Sequence, residues 1–223
     1  MIDISVIIRT YNSANMVAKA IESALNQSLE RIRYEIIVVD DGSSDATLRI
    51  VKEYGSKIRL IENSHVGPAK ASNRGILESQ GRYVILLDSD DELFFGTLQT
   101  MLGGFQKDSA ADFVYSDYIE IKGNEENIVS TKENIFNTLA CGILFKKSLF
   151  DEVGGYDANL VFGEYDLLLR LLNKQKIGKH LPTTLYRYYR TEGSLTFDKN
   201  RVEKGMRQLK EKYGNITENI RTY

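Results

Sequence analysis

The chain has 223 residues, 42% of them apolar, a size and composition that supply one α/β domain with one large core. Its 29 basic and 31 acidic residues are interspersed and leave a net charge of −2, which argues against nucleic acid as a partner. The single cysteine, Cys141, excludes an internal disulfide and a thiolate zinc cluster, and no apolar run approaches the roughly 18 residues of a spanning helix, so a cytoplasmic protein is expected.

Short β-rich runs then alternate with amphipathic segments. Ile4 to Ile8 is a continuous branched run suited to a strand covered on both faces, and it is too short for a secretory signal. Ser13 is positioned to cap a helix whose Val17, Ala20, Ile21, Ala24 and Leu25 recur at three- and four-residue spacing. Ile36 to Val39 reads as a second strand, followed by a helix carrying Leu48, Val51 and Tyr54 that Gly55 ends. Ile58 to Ile61 is a third strand, Pro68 opens a helix that Gly81 closes, and Tyr83 to Leu87 is the most apolar strand. Leu98, Met101, Leu102 and Phe105 mark the next helix.

Beyond the strand Phe113 to Tyr115 the rhythm changes. Ile119 to Ile121 and Ile128 to Val129 flank KGNEEN, which predicts a hairpin. Gly142 to Phe145 and Leu185 to Tyr189 read as strands, and Leu167, Leu168, Leu171 and Leu172 line a helix. The segment Lys199 to Lys212 holds six basic and two acidic residues, with Val202, Met206 and Leu209 at helical spacing. It suits both a helix packed on the domain and peripheral contact with an anionic membrane surface. Strands alternating with helices imply a mostly parallel sheet, which binds ligands beyond the carboxyl ends of its strands.

The chemistry-bearing residues cluster at those ends. DSDD follows the fourth strand, and in extended geometry Asp88 and Asp90 point to one side. Hard oxygen ligands without histidine or cysteine nearby suit Mg²⁺ or Mn²⁺, which take further ligands from waters and a diphosphate; acids there also serve as caps and loop residues. Asp40 and Asp41 end the second strand, and a carboxylate there can accept the imide N–H of uracil, with guanine as the other base offering an N–H. Asp45 is expected to cap the next helix. Arg9, Thr10, Tyr11 and Asn12 end the first strand, where Tyr11 offers a ring to a base. His65 and His180 have no partner at a catalytic spacing and are expected at the surface, while Cys141 is expected to be a small buried apolar residue.

Taken in order, SVIIRTYNSANMVAKAIESALNQSL, EIIVVDDGSSDAT, GPAKASNRGI, GRYVILLDSDDEL, LFKKSLFDEVGGYD and GEYDLLLRLL resemble glycosyltransferase family 2 over nearly the whole chain. The resemblance implies a GT-A, Rossmann-like fold spanning residues 1–223 as one domain, with a nucleotide-sugar-binding half (1–115) and a mixed α+β acceptor-side half (116–223) ending in the C-terminal helix. It implies a metal, Mn²⁺ or Mg²⁺, held by Asp88 and Asp90, with Asp90 the direct ligand and Asp88 and Ser89 also at the donor. Thr10, Tyr11, Asn12, Asp40 and Asp41 would hold the nucleoside, and Lys70, Asn73 and Arg74 would line the donor. Ser72 stands where the family commonly has an arginine.

At the family's acidic pair before the YDLWLRL-like helix stand Gly163 and Glu164, so Glu164 is the expected base, with Asp166 as the competing carboxylate. Glu192 occupies the place of a histidine that reaches metal or diphosphate in many members. The implied activity is an inverting, metal-assisted single displacement from a nucleoside-diphosphate sugar, UDP-linked by preference, to a glycan or lipid-linked acceptor. The rivals are a degenerate nucleotide-sugar binder and a nucleotidyltransferase, although YNSANM lacks the glycine-rich phosphate loop of the latter; a receiver-like module lacks its acidic pair after the first strand.

Overall fold

The computed structural model describes residues 1–28, 32–138, 142–190 and 198–214. Four strands form its parallel half: β1 (Ile4–Thr10), β2 (Tyr34–Asp40), β3 (Arg59–Glu62) and β4 (Tyr83–Asp88), adjacent in the order β3-β2-β1-β4. The helices between them are α1 (Val17–Leu25), α2 (Thr47–Lys52) and α3 (Pro68–Glu78). Every residue of β1 except Arg9 is buried, as expected of a strand covered on both faces. Ile4, Val6 and Ile8 pack with Val17, Ala20, Ile21 and Ala24 on one face. Ile7 packs with Ile37, Val39, Ala71 and Ile76 on the other. Helix α3 lies so close to that face that a Cβ on Gly75 would meet Ile7 Cγ2 at 2.4 Å.

The second half is antiparallel and mixed. After β5 (Glu92–Leu93) and α4 (Thr97–Lys107), β6 (Phe113–Lys122) turns at Gly123 into β7 (Glu125–Val129), which is the hairpin that KGNEEN predicts. Then follow β8 (Ile143–Lys146), α5 (Ser148–Val153), α6 (Gly163–Asn173), β9 (Gly178–Tyr189) and α7 (Lys199–Tyr213). Strand β8 joins β4 antiparallel, β6 joins β8, and β9 runs parallel to β6 and carries β5 at its far side, so one continuous sheet crosses both halves. The register of β6 and β9 jumps between Ser116↔Leu181 and Asp117↔Thr184, beside Pro182, which has no N–H to give the ladder.

Three expectations need correction. Ser13 does not cap α1 with its side chain, since its Oγ donates to Tyr11 O. The strand expected at Leu185 begins at Gly178, and β5 and α5 carried no signal of their own. Helix α7 forms as expected, capped by Asp198, whose side chain accepts from Asn200 N and Arg201 N, but Val202, Gly205 and Leu209 are buried and Met206 and Tyr213 pack on the second core. Its apolar face is therefore committed to the domain. Among the described residues no helix is long and apolar enough to cross a membrane. Cys141 and Glu192 lie outside the described residues.

Candidate functional site: a carboxylate cluster at the strand ends

Parallel strands end at the same edge, so β1, β2 and β4 deliver their last residues together. In register, Arg9 faces Asp88 and Thr10 faces Asp40. Because side chains alternate, Arg9 points to the face of α3 and α6, and Thr10 to the face of α1.

On the first of these faces Arg9 gathers three elements. Its Nε donates to Asp88 Oδ1 at 2.5 Å and its Nη2 to Asp88 Oδ2 at 3.2 Å. Nη2 also donates to Glu164 Oε1 at 3.1 Å, and Nη1 to Ser72 Oγ at 3.3 Å. The Arg9 side chain is 15% exposed, Asp88 29% and Glu164 33%. Burial of the guanidinium works against its charge, but Asp88 and Glu164 outweigh that and hold its pKa well above the ordinary arginine value. An unpaired guanidinium at this depth would cost several kcal/mol, about what the bidentate carboxylate offsets.

The DSD segment departs from the expected extended geometry. Asp88 closes β4, and Asp91 N donates to Asp88 O at 3.1 Å, so residues 89 and 90 form a turn. Asp90 nevertheless stays close enough to feel Asp88: burial first, and then the neighbouring charge of Asp88, push its carboxyl up to about 6. Asp88 is paired with Arg9 and Asp90 is crowded against Asp88 in partial burial, and hard oxygen donors so placed fit a divalent cation by charge and by hardness. Among the described residues no three His, Cys, Asp or Glu side chains form a ready-made metal cluster. Ser89 Oγ donates to Ser13 Oγ at 2.8 Å and ties the turn to the start of α1. Buried Asp91 accepts Tyr189 N at 3.0 Å and anchors the end of β9.

The nucleoside-side residues divide between lining and scaffolding. Thr10 is 3% exposed, and its Oγ1 has no partner among the described residues. Asp40 is 1% exposed and accepts Ser43 N at 3.0 Å and Ser43 Oγ at 2.6 Å, which leaves spare lone pairs on both oxygens. Asn63 donates its N–H to Asp40 O at 2.8 Å, while its Nδ2 is buried without a partner. Tyr11 is 45% exposed and packs on His65, ring centroids 4.3 Å apart. Asn12 and Asp41 are spent on the backbone: Asn12 Oδ1 accepts Ser44 N at 2.8 Å, and Asp41 accepts Val66 N and Gly67 N, each at 2.8 Å. These bonds tie together the loops that follow β1, β2 and β3. Asp45 accepts Thr47 N at 2.9 Å, a local turn at the start of α2, whose N-cap is Ala46 and not the Asp45 expected to cap it.

Helix α3 supplies less than expected. Lys70 is exposed on its first turn. Arg74 pairs with Glu78 at 3.0 Å along the solvent side. The Asn73 amide is consumed by Tyr156, donating to its O and accepting from its N, both at 2.8 Å. That clamp needs Gly155, where a Cβ would stand 2.2 Å from Asn73 Oδ1. Asp166, the competing carboxylate, is fully buried, with Arg170 at 2.8 Å, Lys212 at 2.7 Å and Tyr213 at 2.6 Å.

Residues 5–162 match the profile of Glycosyl transferase family 2. The chain belongs to that family. It is 34% identical over 146 residues to the poly(ribitol-phosphate) beta-N-acetylglucosaminyltransferase TarS of Staphylococcus aureus, covering 63% of this chain and 24% of TarS. The chain thus spans about a quarter of that relative's length. Among solved structures, S. aureus TarS 1-349 in complex with UDP-GlcNAc superposes with a TM-score of 0.76 at 23% identity, over 96% of this chain and 67% of that one. The mannosyltransferase PcManGT from Pyrobaculum calidifontis, in complex with GDP-Man and Mn²⁺, gives 0.74 at 18% identity, over 94% and 63%. These likenesses confirm the GT-A fold expected from the motifs.

In this family 2 chain, sequence reasoning missed Arg9, Asn63 and His65. A charged residue inside the otherwise apolar run ISVIIRT was the signal for Arg9. Asn63 and His65 follow β3 in ENSHVG, where polar residues look like any loop; only the fold sets them beside Asp40 and Tyr11.

Proposed function

We propose that the chain is an inverting transferase that moves a sugar from a UDP-sugar, with UDP-N-acetylglucosamine as the first donor to test, onto a hydroxyl of a glycan or lipid-linked glycan. The observation that carries this is the meeting of Glu164 and Asp88 on one guanidinium, although 155 residues separate Glu164 from Arg9. Residues 1–115 form the donor half and 116–223 the acceptor half.

The uracil edge presents an N–H beside a carbonyl. Asp40 offers an acceptor and the orphaned Asn63 Nδ2 a donor of that complementary pattern, with Thr10 Oγ1 free for a further contact. Guanine presents the same pair. Tyr11, half exposed on His65, supplies the stacking surface. Asp88 and Asp90 would hold a Mg²⁺ or Mn²⁺ ion, which would neutralise the departing diphosphate. Glu164 Oε1 is held by Arg9, which leaves Oε2 to take the proton of the acceptor hydroxyl as that oxygen attacks the anomeric carbon from the face opposite the diphosphate. One displacement inverts the configuration and requires no carboxylate nucleophile.

The test is Glu164→Gln. It is expected to bind UDP with Mn²⁺ as the parent does while losing transfer by about 10²-fold or more, the scale of a positioned general base. Undiminished transfer by this variant would remove Glu164 from the chemistry.

A further inference from the structure

We infer that Arg9 is a positioning residue shared by the two halves of the site: its guanidinium fixes Asp88 for the donor's metal-bound diphosphate and Glu164 for the acceptor hydroxyl, so neither carboxylate is placed independently. This rests on the donor and base assignments above and adds to them a residue outside both.

The geometry accounts for the donors one by one. Of the five guanidinium N–H groups, Nε–H and one Nη2–H hold the two oxygens of Asp88, the second Nη2–H holds Glu164 Oε1, and one Nη1–H reaches Ser72 Oγ. Side-on bidentate pairing sets the plane of the Asp88 carboxylate, which a point charge would leave free to rotate. The partners arrive on separate elements: Arg9 on β1, Asp88 on β4, Ser72 on α3 and Glu164 in the first turn of α6. Ser72 is fully buried, so its hydroxyl braces the guanidinium from behind. Asp88 and Glu164 remain partly exposed, so both carboxylates stay open to ligands while the cation between them is covered.

A residue buried for stability alone would not need two partners that both face the ligand side. Removing Arg9 leaves two acids of like charge facing each other without their common cation, and each would turn away from its working position. A partner that orients a metal ligand is worth about 10- to 100-fold in metal affinity, and a misplacement of about 1 Å in the reacting groups about 10²-fold in rate.

The experiment compares Arg9→Gln and Arg9→Lys with the parent. Calorimetry measures Mn²⁺-dependent UDP binding, steady-state kinetics separates kcat from KM, and thermal melting reports folding. Arg9→Gln is expected to weaken Mn²⁺-dependent binding about tenfold or more and to lower kcat about 100-fold. Arg9→Lys, which keeps the charge and loses the fork, is expected to melt near the parent yet recover neither quantity fully. Folded Arg9→Gln with both quantities within about twofold of the parent would overturn the inference, as would complete recovery of both in Arg9→Lys. If Arg9→Gln does not fold, Arg9→Lys decides by the same criterion. Failure of the parent itself to bind UDP with Mn²⁺ is a different result, because it strikes the donor assignment and not Arg9.

Discussion

Asp90 shows how one side chain turns crowding into affinity. Burial and the charge of Asp88 raise its carboxyl to about 6, so below that pH the free site holds a proton that a metal would have to displace. We predict that the Mn²⁺-dependent affinity for a UDP-sugar, whose diphosphate diester does not titrate near neutrality, is flat above about pH 7. It should weaken as pH falls through 6, approaching tenfold per unit below it. Affinity independent of pH between 5 and 7.5, read by calorimetry, would contradict a role for Asp90 as ligand. At the nucleobase end, Asn63→Ala deletes an unpartnered amide, so it should leave the melting temperature nearly unchanged while weakening UDP about 2- to 10-fold, the range of one hydrogen bond. Equal losses of stability and affinity would instead make Asn63 part of the scaffold.

Elements set where these residues stand, and the C-terminal helix does so indirectly. Helix α6 carries Glu164 on its first turn and Asp166 two residues later, and α7 reaches back to hold Asp166 through Lys212 and Tyr213. Burial works to raise the Asp166 carboxyl, but Lys212, Tyr213 and Arg170 together outweigh it and lower its pKa. A depressed folded pKa gives stability that is present above the unfolded value and is lost as pH falls through the folded one, so this anchor fails only in acid, below about pH 4. Asp166→Ala should cost about 3–5 kcal/mol, the scale for removing one partner from a buried ion pair, and the folded fraction should keep its donor affinity. Leu209→Ala empties a fully buried position on the same helix and should cost about 2–5 kcal/mol, read from urea unfolding.

The parallel elements were legible because β1, β2 and β4 are long apolar runs covered on both faces, a signal that depends on no distant residue. Strand β9 was only half legible, since GKHLPTT is polar and contains Pro182, and its pairing is decided by β6 more than 60 positions earlier. Asp40, Asp88 and Asp90 were legible from strand ends and spacing, and Glu164 only from the family resemblance. Their shared partner was not, because Arg9 meets Asp88 and Glu164 across separations of 79 and 155 residues. Nor does spacing separate Glu164 from Asp166, where burial decides at once.

At the scale of the whole molecule, the sheet makes one edge where β1, β2 and β4 end and places a helical layer against each face. The face of α3 and α6 receives Asp88, Glu164 and Arg9; the other carries Thr10 and Asp40, the residues proposed to meet the nucleoside. Division of labour between the two faces follows from strand alternation alone. The proposed donor site lies within this chain, which spans about a quarter of its relative TarS. The most direct measurement is the melting temperature of the 223-residue chain with UDP, with Mn²⁺ and with both, in the parent and in Asp90→Ala. The account predicts a rise with Mn²⁺ and UDP together that Asp90→Ala abolishes; a rise independent of metal, or none with any nucleoside diphosphate, would contradict it.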